Sequence, residues 1–305
     1  MNMSAICARM ALHNMITKHY KVAGHTFAVS SQAGFFELMG NYEPFECEGG
    51  EPLFSLTVDF GVVPEYTEEY RQEEGMHIIC GHDALGNYVV EFENRTKSKG
   101  YLICSKDCRE GRIIMMSDIS TTIFERLLIF MYALATAGSD TLVLHAVVVS
   151  CEGKGYLFLG PSETGKSTHA RMWLLNVEGT KLVNDDFPVV RDGVVYGSPW
   201  GGFFTSCYRN VSYPIGGMVR LSQAPYNKIH RISCVEAFLN LYGSDMGRRL
   251  NNFIDEDIDK GMHQTKDKLA QTIPMWHLEC LPDEEAAILC HDTIMNRNKE
   301  GVIEK

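Results

Sequence analysis

The chain has 305 residues, of which 45% are hydrophobic and 22% are charged, a composition typical of a globular protein with about two domains. Its 39 acidic residues outnumber its 28 basic residues, so the formal net charge at pH 7 is −11. Such an acidic surface disfavours nucleic acids and anionic membranes as partners.

The start of the chain carries no pattern of a signal peptide, because Arg9 and His13 interrupt the short apolar stretch over residues 1–15. No segment approaches the roughly 20 apolar residues of a membrane span. The ten cysteines form no C-x-x-C pair, and Cys104 and Cys108 are too isolated to predict a zinc site. Scattered reduced thiols and the lack of targeting signals predict a cytoplasmic protein.

Residues 16–118 carry the pattern of β-strands. Apolar and polar residues alternate at period two over residues 21–29 and 53–58. Further apolar runs, separated by turn residues, lie over residues 77–80, 88–92, 101–103 and 113–116. Their short, even spacing indicates hairpins and not crossovers. The sequence predicts a mostly antiparallel β domain over residues 1–120, and a helix over 121–137 that opens a second domain spanning 121–305.

An uninterrupted match to the phosphate-binding pattern G-x-x-x-x-G-K-[ST] lies at residues 160–167. Gly160 and Gly165 let the backbone curl so that its N–H groups point at phosphate oxygens. Lys166 supplies a mobile positive charge for the outer phosphates, and Ser167 offers a hydroxyl to Mg²⁺. The residues predicted to bind nucleotide are Gly160, Ser162, Glu163, Thr164, Gly165, Lys166, Ser167 and Thr168.

The flanks of this loop favour phosphate binding over a chance glycine-rich turn. Residues 154–159 form a short apolar run that indicates a strand, and residues 169–175 are good helix formers. A loop between a strand and a helix directs the positive end of the helix dipole towards a bound anion. We therefore expect residues 160–168 to bind phosphate.

Two adjacent carboxylates, Asp185 and Asp186, end the next apolar run, over residues 181–186. Alone, such a pair would indicate a solvated turn. One crossover after a phosphate loop, neighbouring acids at a strand end can hold Mg²⁺ and orient or deprotonate a nucleophile. The sequence leaves open which aspartate does which.

These segments together resemble the catalytic domain of the HPr serine kinase/phosphorylase family, which shares its layout more distantly with ATP-dependent phosphoenolpyruvate carboxykinase. The resemblance rests on the strand with His145, the loop at 160–168 and the Asp185–Asp186 pair, in the same order and at similar distances. Residues 195–202 and 274–283 resemble a G-x-P-W-x-G segment and a closing strand of bacterial HPr-kinase-like proteins. The similarity covers about residues 140–296 and implies an α/β domain with a mixed sheet.

The function that the resemblance implies is ATP- and Mg²⁺-dependent phosphoryl transfer to a hydroxyl of a protein, a peptide or a small molecule. Lys166 would hold the outer phosphates, and Ser167 with one aspartate would hold Mg²⁺. The other aspartate would serve the acceptor hydroxyl. By resemblance His145 would orient substrate or steady the transferring phosphate, although a strand histidine bonded to backbone would fit the same pattern. A homo-oligomer is left open.

The chain departs from the family pattern at two loop positions. Glu163 stands where the family usually has glycine, and Thr168 stands where the HPr enzyme has glutamate. These departures motivate a rival hypothesis, a non-catalytic ATP or ADP sensor or an accessory protein of peptide modification. A carboxykinase would need a set of substrate-binding arginines, of which only Arg209 is a candidate. Trp200 is at least as well explained as a core residue.

Overall fold

A computed structural model describes residues 15–73, 77–116, 120–202, 208–250 and 253–300 of the chain. The chain divides into two compact units, Met1–Ala135 with Asn252–Ile254, and Thr136–Asn251 with Asp255–Lys305. Both contain a mixed β-sheet and at least one helix. Among the described residues, no helix combines the length and the apolar character that crossing a membrane requires.

The described residues of the first unit form nine strands, two α-helices and a short 3₁₀ helix at Gly40–Phe45. Its strands are β1 Met15–Val22, β2 His25–Gln32, β3 Glu46–Cys47, β4 Phe54–Phe60, β5 Thr67–Gln72, β6 His77–His82, β7 Tyr88–Glu93, β8 Lys99–Cys104 and β9 Glu110–Met115. Its α-helices are α1 Ala33–Phe36 and α2 Thr121–Thr136.

The strand order in this sheet is β3-β1-β2-β4-β9-β8-β7-β6-β5. Most neighbours are antiparallel, as the sequence predicts, but β2 runs parallel to β4 and β4 runs parallel to β9. The expectation of hairpins without crossovers is therefore wrong at the centre of the sheet. Long connections bring strands that are distant in sequence side by side there, and spacing alone does not reveal this.

The apolar run over residues 21–29 contains a hairpin turn and not one strand. Ala23 and Gly24 both have positive φ, at 48° and 81°, and they reverse the chain between β1 and β2. Glycine tolerates this left-handed backbone readily. The alternation of apolar residues continues across the turn, which hides it in the sequence.

Helix α2 belongs to the first unit for nearly its whole length, whereas the sequence placed residues 121–137 in the second domain. Its apolar side packs on the first sheet. The Tyr132 hydroxyl donates a hydrogen bond to the Val22 carbonyl over 2.9 Å, and Phe124 meets Phe35 edge-on at 4.9 Å between ring centroids. Burial of these aromatic residues fixes the helix to β1 and α1.

In the part of the second unit that the structure describes there are nine further strands and four α-helices, with a 3₁₀ turn at Gly247–Leu250. Its strands are β10 Thr141–Val143, β11 Ala146–Cys151, β12 Lys154–Leu159, β13 Lys181–Asn184, β14 Val189–Arg191, β15 Val194–Tyr196, β16 Ser212–Gln223, β17 Lys228–Arg231 and β18 Met275–Cys280. Its helices are α3 Lys166–Asn176, α4 Cys234–Ser244, α5 Glu256–Thr272 and α6 Glu284–Glu300.

The second sheet is mixed. Strand β12 lies between β11, to which it is antiparallel, and β16, to which it is parallel. On the far side of β16, β18 runs parallel to it, and β17 closes that edge antiparallel to β18. The sheet is therefore not the all-parallel, doubly wound type, in agreement with the mixed sheet that the sequence predicts.

Two apolar layers cover this sheet, one on each face. On one face the core lies under α4 and α5 and includes Leu157, Met218 and Met275. On the other face it lies under α3 and α6 and includes Phe158, Trp173 and Trp276. At the carboxyl end of β12 and β16, both layers stop and the backbone turns towards solvent.

Candidate functional site

The phosphate-loop motif connects β12 to α3, the strand–loop–helix context that the sequence predicts. Gly160 has φ of 147°, and a Cβ placed on it would lie 2.8 Å from Thr164 Oγ1 and 3.2 Å from the Leu221 carbonyl oxygen. Gly165 has φ of 97° and caps the start of α3. Only glycine suits these two positions, because a side chain would be strained at both and would clash at Gly160.

Lys166, the first residue of α3, is 7% exposed and curls back over the loop. Its Nζ donates hydrogen bonds to the carbonyl oxygens of Gly160 and Pro161, over 2.8 and 3.0 Å. Burial lowers the pKa of Lys166 to about 8, and the negative charge of Asp186 opposes that shift.

The tip of the loop is open to solvent. Ser162, Glu163, Ser167 and Thr168 are exposed, and Thr164 is held by a hydrogen bond from its Oγ1 to the Pro161 carbonyl over 2.8 Å. Glu163 has a positive φ of 67°. Its carbonyl oxygen accepts a hydrogen bond from Gln223 Nε2 over 3.1 Å, which ties the loop to the end of β16.

Asp185 and Asp186 directly follow β13, whose pairing with β11 is irregular between Val148 and Val149. Asn184, the last residue of the strand, is fully buried. Its Nδ2 donates to Ser198 Oγ and to the Trp200 carbonyl, over 3.1 and 3.2 Å, and its Oδ1 accepts the Asp186 N–H over 3.0 Å. This amide fixes the direction in which the chain leaves the sheet.

The two aspartates lie in different surroundings. Asp185 is 8% exposed, and its Oδ1 accepts the backbone N–H of Gly202 over 2.7 Å. Asp186 is more exposed and lies with its Oδ1 3.5 Å from Nε2 of His145. The backbone carbonyl of Asp186 accepts the Ala146 N–H over 3.0 Å, which joins the start of β11 to the aspartate segment.

Strand β11 pairs antiparallel with both β12 and β13, so the end of β13 and the start of β11 lie at the carboxyl edge of β12. Lys166, Asp186 and His145 therefore come to the same edge from three separate segments of the chain. Ser167 follows Lys166 in the first turn of α3. A hydroxyl and a carboxylate supply the oxygen ligands that Mg²⁺ prefers. Among the described residues no group of three or more His, Cys, Asp and Glu side chains could hold a metal ion. Ser167 and Asp186 offer a hydroxyl and a carboxylate of this kind.

A cleft of about 730 Å³ opens beside the loop, on the side of α3 and α6. Thr164, Gly165 and Thr168 line its loop side. The opposite wall is mainly apolar and includes Leu221, Ala224, Pro225, Leu281 and Pro282. His169 lies in the same cleft, and burial lowers the pKa of this histidine to about 4, so that its Nε2 accepts the Trp173 indole N–H over 3.1 Å as a neutral ring.

Other residues singled out from the sequence have structural places. Trp200 is fully buried, which agrees with a core residue. Arg209 donates a hydrogen bond to the Leu182 carbonyl. Arg171 lines a small pocket together with Ser167. The acidic run at 255–259 begins α5 and is largely exposed, as expected for a solvated first turn. The eight described cysteines are all free, whereas Cys7 and Cys207 lie outside the described residues.

Asn184 and Gln223 hold the two segments of the site in place, and the sequence does not predict either role. Asn184 directly precedes the aspartates, and its partner Ser198 lies in the segment of 195–202 that the resemblance had singled out. No sequence pattern indicates the role of Gln223, because its partner Glu163 is 60 residues away in the sequence. No protein-family model matches the chain, and no curated protein matches it significantly.

Proposed function

We propose that this protein transfers a phosphoryl group from ATP to a hydroxyl, with Mg²⁺ as its cofactor. The observation that supports this best is the convergence of a glycine-formed loop, the buried Lys166 and the Asp186–His145 pair at one sheet edge. Phosphoryl transfer depends mainly on positioning and on stabilising charge, and these groups are of the types that such catalysis uses.

Each residue has a distinct task in this proposal. The loop amides and Lys166 bind the β- and γ-phosphates, once Lys166 exchanges the carbonyl oxygens of Gly160 and Pro161 for phosphate oxygens. Ser167 and Asp186 hold Mg²⁺, which when bound neutralises charge on the transferring group. His145, next to Asp186, orients the acceptor hydroxyl and takes its proton. Asp185 keeps the segment at 199–202 in place through the Gly202 N–H.

The apolar cleft is suited to the nucleoside of ATP. Its volume of about 730 Å³ lies within the range of small-molecule sites. It borders the loop residues Thr164 and Gly165, so a nucleotide whose phosphates occupy the loop would extend its base between Leu221 and Pro282. Burial of a flat aromatic base against these apolar side chains favours binding.

A single-turnover experiment tests the function. The full chain is mixed with γ-labelled ATP, Mg²⁺ and a cell extract that supplies acceptors, and transfer of label is followed over time. We expect Lys166→Ala to slow transfer by at least ~10², because it removes charge stabilisation at the outer phosphates. Lys154→Ala, at an exposed lysine on β12, is the matched control. Unchanged transfer in Lys166→Ala would refute the proposal.

The same experiment distinguishes the phosphotransferase hypothesis from the hypothesis of a non-catalytic nucleotide sensor. Glu163 favours the sensor hypothesis, since its carboxylate lies on a loop that would surround phosphates and would repel them. Tight binding of ATP without transfer and without hydrolysis would support the sensor. Labelled product that disappears in Asp186→Asn would support the enzyme.

A further inference from the structure

A row of basic side chains crosses three neighbouring strands next to the phosphate loop. In the register of the sheet, Arg220 on β16 is opposite His277 on β18, and His277 is opposite His230 on β17. On its other side Arg220 is opposite Leu159, the residue directly before Gly160. Paired residues on adjacent strands share a face, so these side chains form one continuous line. We call Arg220, His277 and His230 the basic row.

The basic row lies on the face that α4 and α5 cover. Met218 and Met275 precede Arg220 and His277 by two residues, point to the same face and are buried in the core under these helices. The intervening residues Val219 and Trp276 belong to the opposite core, under α3 and α6. The basic row therefore begins where the apolar layer under α4 ends, at the carboxyl edge of the sheet.

The side chains of the row are close together and reach solvent. The imidazole rings of His230 and His277 are 5.4 Å apart between centroids, and Nε2 of His277 is 2.8 Å from Ser222 Oγ. Arg220 and His277 are half-buried, and His230 is exposed. Burial, and then the charge of His230, lowers the pKa of His277.

The carboxylates of Glu236 and Glu279 act on the histidines of the row through their charge, but their hydrogen bonds go elsewhere. An oxygen of Glu236 accepts hydrogen bonds from the N–H and hydroxyl of Ser233, at the start of α4, and one of Glu279 accepts the Tyr226 hydroxyl. Among the described residues, the ion pairs include neither Arg220 nor His230. The donor groups of Arg220 and His230 are thus not taken up by a direct carboxylate contact.

The position of the row relative to the loop suggests which ligand it meets. Strands β12 and β16 lie about 4.8 Å apart, which puts Arg220 beside the first residues of the loop. Leu221, the next residue of β16, points to the opposite face and lines the apolar cleft. A nucleotide with its base in that cleft would leave the other face of the loop to the second substrate.

We propose that the basic row binds an anionic group carried by the phosphoryl acceptor, so that the acceptor is an anionic hydroxyl compound. The guanidinium of Arg220 offers a planar fork for a phosphate or carboxylate, and the two imidazoles each donate an N–H to it. The assignment to the acceptor rests on the proposed phosphoryl transfer. The anion site itself does not.

Histidine NMR on the full chain tests the row with inorganic phosphate as the probe. The resonances of the two histidines are assigned through His230→Gln and His277→Gln. Their titration midpoints are then measured with and without phosphate, at constant ionic strength and in the presence of saturating Mg²⁺ and ADP. We expect phosphate to raise both midpoints by about one pH unit, because a nearby anion favours the imidazolium. His291, on α6, serves as the internal control and stays unchanged.

Variants and a second ligand decide the outcome. Arg220→Gln should abolish the phosphate effect and Arg220→Lys should keep part of it, whereas Lys166→Ala, which weakens the loop, should leave it intact. If phosphate shifts the two midpoints neither in the wild-type protein nor in Lys166→Ala, the anion site is refuted. A non-hydrolysable ATP analogue that alone raises both midpoints, with no further effect of phosphate, would refute the acceptor assignment and give the row to the nucleotide. The Lys166→Ala variant measures phosphate binding at the basic row when the loop is weakened. The anion site can therefore be confirmed or refuted even if the chain does not bind nucleotide.

Discussion

In the proposed function, the buried ammonium group of Lys166 prepares a site for a phosphate anion. Its Nζ is held by two carbonyl oxygens, and burial lowers its pKa to about 8 from the usual 10.5. The carbonyl dipoles and Asp186 compensate only part of the lost hydration. A phosphate dianion would compensate it fully, so anion binding and protonation of Lys166 are thermodynamically linked.

This linkage predicts proton uptake on nucleotide binding above pH 8. At pH 8.5 about three quarters of the free protein has neutral Lys166, whereas the nucleotide complex needs the ammonium form, so we expect uptake of about 0.8 proton per ATP. Calorimetry of MgATP binding in buffers with different ionisation enthalpies measures it. Lys166→Met should bind without uptake. Equal enthalpies in all buffers for wild type would show that the lysine does not meet the phosphates.

The unequal surroundings of the two aspartates predict unequal effects of the same substitution. Asp186→Asn removes the charge beside Lys166 and His145, and we expect turnover to fall by at least ~10² with weaker dependence on Mg²⁺. Asp185→Asn keeps an oxygen that can accept the Gly202 N–H, so its loss should stay under ~10-fold. Mg²⁺ titrations of single-turnover rates compare the two. The reverse order would move the metal to Asp185.

At the scale of elements, a buried ion pair connects α4 to α5. Nζ of Lys266 lies 2.6 Å from Oδ2 of Asp245, and both side chains are almost fully buried. Asp245 follows the end of α4, and its Oδ1 also accepts the Gly247 N–H over 2.9 Å. The preceding residue, Ser244, accepts the backbone N–H of His145 over 2.8 Å, so the pair also supports one wall of the site.

Breaking this pair from one side should be strongly destabilising. Lys266→Met leaves the Asp245 carboxylate buried without its partner, a change that costs about 3–5 kcal/mol of unfolding free energy in comparable cases. Lys268→Met, on the same helix, removes an exposed lysine that pairs with Asp140 and Asp192, and should change stability much less. Denaturant unfolding followed by circular dichroism compares them. Similar midpoints for the two variants would show that the buried pair is not important for stability.

At the scale of the whole molecule, local features were predictable and distant pairings were not. The loop signature, its flanking elements β12 and α3, and the strand before the aspartates are contiguous, so their sequence patterns reveal them. The parallel β2–β4–β9 centre and the alignment of Arg220 with His277 join segments separated by long stretches of chain. Asn184 is an intermediate case. Its place beside the aspartates is visible in the sequence, but its hydrogen-bond partners Ser198 and Trp200 are not.

If the chain binds ATP as we propose, the charge of the whole chain and that of the site should both affect the affinity. The net charge of −11 repels free ATP more than its magnesium complex, and Asp186 and Glu163 do the same at short range. Calorimetric titration of the protein with ATP, once with Mg²⁺ and once with excess chelator, measures the combined effect of these charges on ATP affinity. We expect ATP to bind at least ~10-fold more weakly in chelator.

Salt separates the contribution of the net surface charge from that of the charges in the site. High ionic strength screens the field of the distant surface charges but acts much less on groups in the partly buried site. The magnesium effect should therefore persist at about 0.5 M salt in wild type, and it should shrink in Asp186→Asn, where one of the short-range charges is gone. Equal ATP affinity with Mg²⁺ and with chelator at high salt would mean that Asp186 does not face the nucleotide, and its proposed role at the metal would then be wrong.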